Sequence, residues 1–250
     1  MRYFLALLLV LAGALPAAAQ TRQYAVLSLI GDRLMVAQYY PNESAFRSDG
    51  SLQAIVQLDD NAFDKTALQA TDYALKAIDK SARPVLLVAK DSSLYDAHAA
   101  ITRAGQSSAQ LLERIDPMLR GSGATHLVLI TKLKHEARVQ QLKDTMLGSG
   151  ELEGVGFYVD AGRGAPNQMG SANNAVLGPF AYLRLELIDL ASRKVVKEEK
   201  VVASRAIPNP GSSNPWATLT NAEKIGTLQD IIRRETLRAV PVLLGAPRLQ

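Results

Sequence analysis

Hydrophobic positions in this 250-residue chain are grouped into short runs separated by polar turns. The segment 25–30 is almost continuously apolar, which predicts a strand buried on both faces. A second, less pure apolar run covers 34–40, and Gly31-Asp32 lies between the two. Gly at the first central position of a two-residue loop suits a type II′ turn. The pattern therefore predicts an N-terminal β-hairpin from Gln23 to Tyr40.

The middle of the chain changes to the period of helices that pack against a sheet. Phe63 to Ile78 carries apolar residues at helical spacing, and Asp59-Asp60-Asn61 before it offers N-cap residues. Two apolar strands then flank two helical regions, and a strand, about 30 residues of helix and another strand make a parallel βαβ crossover. These four segments are 84–89, 94–102, 107–119 and 125–133.

The last third of the chain predicts an antiparallel hairpin and a helix. Phe180 to Leu190 alternates apolar and polar positions, and the returning strand is charged at 197–200, which indicates a sheet edge. The spacing Thr220-x-x-Glu223 is a capping box that begins a helix, which we expect to end or kink before Pro241. The predicted fold class is α/β: a mixed β-sheet with N-terminal β-hairpin, one βαβ crossover, a late antiparallel hairpin and a C-terminal helix.

The first residues have the composition of a secretory signal peptide. Arg2 is followed by an apolar run from Phe4 to Leu15 and by small residues that end at Ala19. This run is shorter than the roughly 20 residues that span a bilayer. We therefore expect residues 1–19 to be removed and 20–250 to form a single α/β domain. Since the chain has no cysteine, the bacterial periplasm is the expected location.

Composition narrows the partners and cofactors. The net charge is +4, but basic and acidic residues are interspersed rather than arranged as a basic stripe with aromatics, so no nucleic acid partner is expected. No later segment has the apolar run of a transmembrane helix. His98, His126 and His135 lack metal-ligand spacing, so no metal is expected. The glycines at 148–156 do not open a helix and no Gly-Lys-Ser/Thr occurs, so no other cofactor is expected. The oligomeric state stays open.

The first turn resembles a catalytic motif but lacks its nucleophile. Leu29 to Leu34 resembles the Gly-Asp-Ser-Leu block of esterases, but Arg33 stands where the serine nucleophile would be, and no Asp-x-x-His follows near the C-terminus. Acyl transfer needs both a nucleophile and its base. We therefore favour a non-enzymatic protein. The alternatives are a hydrolase assembled from distant residues, such as His98, His126 or Asp32, and a small-ligand binder.

A long polar segment is the candidate contact surface. Residues 160–178 are dominated by Gly, Ala, Asn and Pro, and structureless loops of this length are uncommon inside compact domains unless they are functional. The alternative is a tolerated insertion, and the charged hairpin at 193–205 is a second candidate surface. The candidate binding residues of the loop are Arg163, Asn167, Gln168, Asn173 and Asn174.

Three stretches of the chain carry a family resemblance. They are the opening strand with its later helix, the helix-to-strand junction 123–130, and the antiparallel pair 182–196. Together they resemble periplasmic α/β domains of the curli-secretion-channel type and the amino-terminal domain of the Tol-system β-propeller protein. The chain departs from these families with Arg193, where glycine is usual, and in lacking a lipid-attachment cysteine. These departures argue against membrane anchoring and pore formation.

A second similarity is to a group of exported proteobacterial proteins. It lies in the segment Leu29-Ile30-Gly31-Asp32-x-Leu34. No activity carries over from this group. The resemblances imply a periplasmic α/β fold, and without catalytic residues we expect an exported envelope protein that works through protein–protein contacts.

Overall fold

A computed structural model describes most of the chain after the predicted signal peptide. The described residues are 22–31, 33–39, 53–58, 61–90, 92–140, 146–147, 150–160, 174–210 and 214–247. The architecture is α/β with a mixed sheet, and it confirms the predicted crossover, the late antiparallel hairpin and the C-terminal helix.

The helices and strands follow the hydrophobic pattern closely. The helices are α1 (Ala62–Ile78), α2 (Ser93–Arg103), α3 (Leu112–Leu119) and α4 (Asn221–Leu244). The strands are β1 (Tyr24–Leu29), β2 (Arg33–Tyr39), β3 (Gln53–Gln57), β4 (Val85–Leu87), β5 (His126–Lys132), β6 (Lys134–Glu136), β7 (Val139–Gln140), β8 (Met146–Leu147), β9 (Glu151–Asp160), β10 (Asn174–Asp189), β11 (Lys194–Ser204) and β12 (Ile207–Pro210).

Strand β10 organises the sheet. Within the described residues, ten strands form one mixed sheet along the path β3-β2-β9-β10-β5-β1-β4. The first part of β10 pairs with β9 and the second part with β5, so these two strands lie end to end along the same side of β10. Strands β11 and β12 pair along its other side. The sheet therefore has two halves that share β10.

The predicted N-terminal hairpin is wrong. Strand β1 pairs in parallel with β4 and β5, whereas β2 pairs with β3 and β9, so the two are not neighbours. Leu29 of β1 and Arg184 of β10 pair with the same residue of β5, which lies between them. Met35 of β2 and Phe180 of β10 likewise pair with the same residue of β9. Both strands therefore run in the same direction from one half of the sheet to the other, and the chain continues through a break at Gly31 instead of reversing.

Three boundaries also differ from the sequence predictions. Strand β10 begins at Asn174, so the end of the predicted loop 160–178 is strand. Helix α4 passes through Pro241 and ends at Leu244, although the proline cannot donate the backbone hydrogen bond expected at its position. Asn61 is the N-cap of α1 but makes no side-chain capping bond, and Asp59 and Asp60 lie outside the described residues.

The sheet separates two layers. Helices α1 and α4 pack on one face, and their apolar side chains join those of the sheet in the largest core cluster. Helices α2 and α3 cover the β1–β4–β5 region of the opposite face. A third cluster covers the rest of that face and includes Tyr182 and Phe180 of β10. Polar side chains lie where the two clusters of the second face meet.

Candidate functional site

The candidate residues of the long loop are mostly untested. Arg163, Asn167, Gln168 and Asn173 lie outside the described residues, and Asn174 is the first residue of β10. Their role in contacts therefore stays a prediction. Asp32 also lies outside the described residues.

The histidines named for a hydrolase are not brought together. His126 begins β5 and lies 3.8 Å from Asp189. His98 is on α2 and is influenced by the positive charge of Lys132, at the opposite end of β5. A strand of this length spans about 20 Å. The hydrolase alternative therefore gains no shared histidine site from this arrangement.

A buried carboxylate holds the break between β1 and β2. Asp64, on the first turn of α1, is 4% exposed. One carboxylate oxygen accepts hydrogen bonds from the Ser28 hydroxyl at 2.5 Å and the Ile30 amide at 2.8 Å. The other accepts from the Gly31 amide at 3.0 Å and the Tyr95 hydroxyl at 2.8 Å. A side chain of α1 thus replaces the strand hydrogen bonds that the break removes.

The conformation of Gly31 explains why the break occurs at this residue. Its φ of +81° is in the left-handed region, which glycine adopts without a Cβ penalty. Burial raises the pKa of Asp64 above its ordinary value, and the hydrogen bonds from Ser28, Tyr95 and the two amides act in the opposite direction. With four donors satisfied and little exposure, this carboxylate fixes backbone geometry and has little access to a substrate.

A second group of polar side chains lies under α2. Burial, together with the positive charges of Arg184 and Lys132, lowers the pKa of His98 from 6.5 to about 4. Burial raises the pKa of Glu186, against a hydrogen bond from Ser108. His98, Ser108 and Glu186 are all buried. Neither of the two cavities described next is lined by any of them, so their polar chemistry is directed into the fold.

An open groove lies between α1 and α4. It has a volume of 720 Å³, and small side chains on α1 make room for it. Tyr73 stands in the groove with 65% of its surface exposed, which is unusual for an aromatic side chain on a packed helix. The residues that line the groove are Thr66, Gln69, Ala70, Tyr73, Ala77, Arg233, Arg234, Leu237 and Arg238.

The groove is cationic. Three arginines of α4 line it, and none of the described residues in its lining is acidic. The arginines pair with acids of their own helix: Arg233 with Asp230 at 3.0 Å, and Arg234 and Arg238 with Glu235 at 2.8 and 3.4 Å. The Arg233–Asp230 pair is exposed at both ends, and such pairs contribute only about 0.2 to 1 kcal/mol, whereas Glu235 is only 16% exposed. The three arginine side chains are themselves 45% to 58% exposed, so an incoming anion can reach their guanidinium groups.

The sequence contained the parts of this groove but not their arrangement. In the sequence, Arg233, Arg234 and Arg238 have an acidic residue among them, and this pattern is typical of a solvated surface. Tyr73 occupies an ordinary position in an amphipathic helix. Only the packing of α1 against α4, which are far apart in sequence, makes one site of them.

A smaller pocket lies beside the turn between β10 and β11. It has a volume of 330 Å³ and combines apolar walls with two arginines and one carboxylate. Arg193 has a φ of 54°, and an L-residue pays about 1 to 2 kcal/mol for this left-handed conformation. The lining residues are Leu112, Asp116, Leu119, Arg120, Ala124, Leu190 and Arg193.

The described residues lack two features, a cluster of metal-binding side chains and a membrane-spanning helix. No group of three or more histidines, cysteines and acids in these residues is placed to hold a metal ion. No helix in the described part of the chain has both the length and the apolar character needed to cross a membrane.

Comparison with known proteins adds a distant likeness of fold. No family model matches the chain, and no curated protein matches it. A solved Xanthomonas campestris protein of family DUF330 is similar, with a TM-score of 0.39 and 11% identity, over 92% of this chain and 88% of that one.

Two further solved structures are also similar. The PelC dodecamer of Paraburkholderia phytofirmans has a TM-score of 0.28 and 12% identity, over 93% of both chains. A neuraminyllactose-binding hemagglutinin homologue of Helicobacter pylori has a TM-score of 0.35 and 9% identity, over 86% of this chain and 84% of that one. None of the three is a curli-secretion-channel or Tol protein, so that finer resemblance stays a prediction. With TM-scores this low, function has to be argued from the residues of this chain.

Proposed function

We infer that this chain is an exported envelope protein that works by binding, and that the groove between α1 and α4 holds an acidic segment of a partner protein. The observation that carries this proposal is that three arginines line the groove together with the apolar side chains of Ala70, Ala77 and Leu237. The N-terminal signal pattern supports export. The buried polar groups near Asp64 and Glu186 favour binding over catalysis, because little of their surface is accessible.

The shape of the groove favours a helical segment. The lining positions of α1 run from Thr66 to Ala77, and they recur every three or four residues along one face of the helix, with Gln69 and Ala70 side by side. This face is about 16 Å long, which matches three turns of a bound helix. A helix laid in such a groove would place apolar residues on Ala70 and Leu237 and carboxylates near the arginines.

The direct test uses a designed peptide as the probe. A fluorescein-labelled 14-residue helix with leucines on one face and glutamates on its flanks is titrated with the mature protein, and anisotropy is recorded. We expect binding at micromolar concentration and at least a tenfold loss in the triple variant Arg233→Glu, Arg234→Glu, Arg238→Glu. Tyr73→Ala should weaken binding about three- to tenfold, by removing an aromatic contact.

The control moves the same charge change elsewhere. Arg83, Arg103 and Arg114 are exposed and do not line the groove, so their triple reversal to glutamate should leave the affinity within twofold. The proposal fails if this control weakens binding as much as the groove variant does, or if a lysine version of the peptide binds equally well. A third result would also contradict the proposal: the wild-type protein binds phosphatidylglycerol vesicles but not the peptide, and the groove variant loses the vesicle binding. The groove would then be a membrane contact.

Export has its own measurement. The protein recovered from the periplasmic fraction should begin at Gln20, as read by N-terminal sequencing. A protein that begins at Met1 in the cytoplasmic fraction would contradict the envelope location without affecting the groove.

A further inference from the structure

The turn between β10 and β11 contains an unusual backbone position. Arg193 is the one non-glycine residue with positive φ in the described part of the chain. Glycine occupies such positions without strain, whereas a residue with a Cβ does not. Strain of this kind persists where the surrounding structure imposes it, and it is found disproportionately at sites that bind ligands.

The ion pair of Arg193 does not account for the strain. One of its guanidinium nitrogens lies 2.7 Å from an Asp116 carboxylate oxygen on α3, and the two side chains are 53% and 40% exposed. Pairs this exposed are screened by water and contribute little to folding. What the contact does is fix the direction of the guanidinium at the rim of the 330 Å³ pocket. A guanidinium has five N–H donors, so the hydrogen bond to Asp116 leaves several for another acceptor.

The charges of the pocket sum to a single positive charge. Arg120 and Arg193 contribute two, and Asp116 removes one. A monoanion completes this balance, whereas a doubly charged phosphate would leave the pocket with a net negative charge. The rest of the lining is apolar, from Leu112, Leu119 and Leu190.

From these features we propose that this pocket binds a carboxylate that carries a small apolar body. The carboxylate pairs with Arg120 and with the free donors of Arg193, since guanidinium geometry matches a carboxylate. The apolar body packs on the leucines. The volume of 330 Å³ is at the lower end of the range for small-molecule pockets, which suits a ligand of amino acid or medium-chain acid size. The same chemistry could come from a free acid or from the C-terminal carboxylate of a peptide.

Calorimetric titration of the mature protein distinguishes these sources. The probes are octanoate, its uncharged counterpart 1-octanol, and a Gly-Gly-Leu peptide with a free or an amidated C-terminus. We expect at least one of the two free carboxylates to bind below millimolar concentration, and its uncharged counterpart to bind at least tenfold more weakly. Octanoate binding alone indicates a free acid, and binding of the free peptide alone indicates a chain terminus.

The variant Arg193→Gly separates binding from stability. Because glycine relieves the left-handed strain, this variant should keep the melting temperature of the wild type or exceed it, while the dissociation constant rises at least tenfold. Arg120→Gln should raise the dissociation constant by a similar factor. Arg114→Gln, at an exposed arginine of the same helix that does not line the pocket, should leave it within twofold.

Several results would overturn the proposal. One is the absence of binding of either free carboxylate at 5 mM. Another is a wild-type affinity in Arg193→Gly or in Arg120→Gln. A melting temperature that falls by several degrees in Arg193→Gly would show that the arginine stabilises the turn, which contradicts the premise. None of these outcomes bears on the groove between α1 and α4, which is lined by different residues.

Discussion

The break held by Asp64 and the groove lined by arginines are two opposite uses of charge in one molecule. At the break, a buried carboxylate accepts four hydrogen bonds from its own chain. At the groove, three exposed arginines pair with Asp230 and Glu235 of their own helix. The carboxylate at the break is saturated with hydrogen bonds from its own chain, whereas the guanidinium groups of the groove remain accessible to a partner.

In this fold, accessible charges indicate function better than buried ones. A perturbed pKa at a buried site often suggests catalysis. Here the perturbed groups are enclosed: Asp64 lies in the first turn of α1 on one face of the sheet, and His98 of α2 and Glu186 of β10 are buried on the other. The arginines of the groove have open access to a partner, and no large energetic anomaly marks them. Accessibility decides between the two sites.

Removal of the Asp64 carboxylate should have the largest effect. Asp64→Ala takes the shared acceptor from the buried Ser28 hydroxyl and from the Ile30 and Gly31 amides, and each buried unpaired donor costs about 1 to 3 kcal/mol. The partly buried Tyr95 hydroxyl loses its hydrogen bond to Asp64 as well. Allowing for relaxation and for water entry, we expect the free energy of unfolding in urea to fall by about 4 kcal/mol. Asp72→Ala, which removes an exposed partner of Lys76 on the same helix, should change it by less than about 1 kcal/mol. A loss below about 1 kcal/mol at Asp64 would mean that the break does not depend on it.

The close approach of β2 to β9 gives the next largest effect. A Cβ on Gly156 would lie 1.9 Å from the Met35 carbonyl oxygen, so Gly156→Ala must push the two strands apart. We expect it to lower the free energy of unfolding by about 3 kcal/mol. Gly226 in α4 has nothing within 4 Å of such a Cβ, and Gly226→Ala should stabilise the protein by up to about 1 kcal/mol. If Gly156→Ala were neutral, β2 would not pair with β9, and the predicted hairpin with β1 would regain support.

That hairpin shows what the sequence could and could not predict. The apolar run 25–30 correctly predicted a strand buried on both faces, since Val26 and Ile30 belong to the core cluster on one face of the sheet and Leu27 and Leu29 to a cluster on the other. Gly31-Asp32 is chemically suited to a reversal, and local chemistry cannot distinguish a turn from a break in a continuing strand. The deciding group is Asp64, more than 30 residues later, and its side chain reaches the break only after α1 has packed. Local signals therefore specified the element and not its neighbours.

The candidate site was less predictable still. A capping box at Thr220 and Glu223 depends on four consecutive residues, and the structure confirms it. The groove depends on two helices separated by most of the chain, so the sequence indicated only an amphipathic helix at Tyr73 and scattered bases on α4. Arg193 is distinctive in the sequence because glycine is usual there in the families that the chain resembles, but its φ of 54° beside a pocket depends on how the hairpin packs against α3.

Lowering the pH should reduce the free energy of unfolding through His98, because this histidine is buried in its neutral form. The pKa of His98 is lowered from 6.5 to about 4, so between these pH values the unfolded chain binds a proton that the folded chain does not. Stability from this residue is therefore fully present above pH 6.5 and is lost as pH falls toward 4. From pH 7 to 4.5, we expect the wild type to lose about 2 to 3 kcal/mol more than His98→Gln, which cannot titrate. The comparison with the variant cancels the opposite contributions of Asp64 and Glu186, whose raised pKa values favour the folded state in acid.

The smallest effect on folding should come from the groove. Reversal of Arg233, Arg234 and Arg238 to glutamate removes their ion pairs with Asp230 and Glu235 and adds repulsion from these acids. Because the arginine side chains are exposed, the change should cost about 1 to 2 kcal/mol in urea unfolding. Most of that cost should disappear in 0.5 M salt, where exposed charges are screened over a few ångströms. The enclosed carboxylate is screened much less, so the deficit of Asp64→Ala should change little with salt. A groove variant that unfolds at any salt concentration would place these arginines among the groups that hold the fold together, and the contrast between the two sites would be lost.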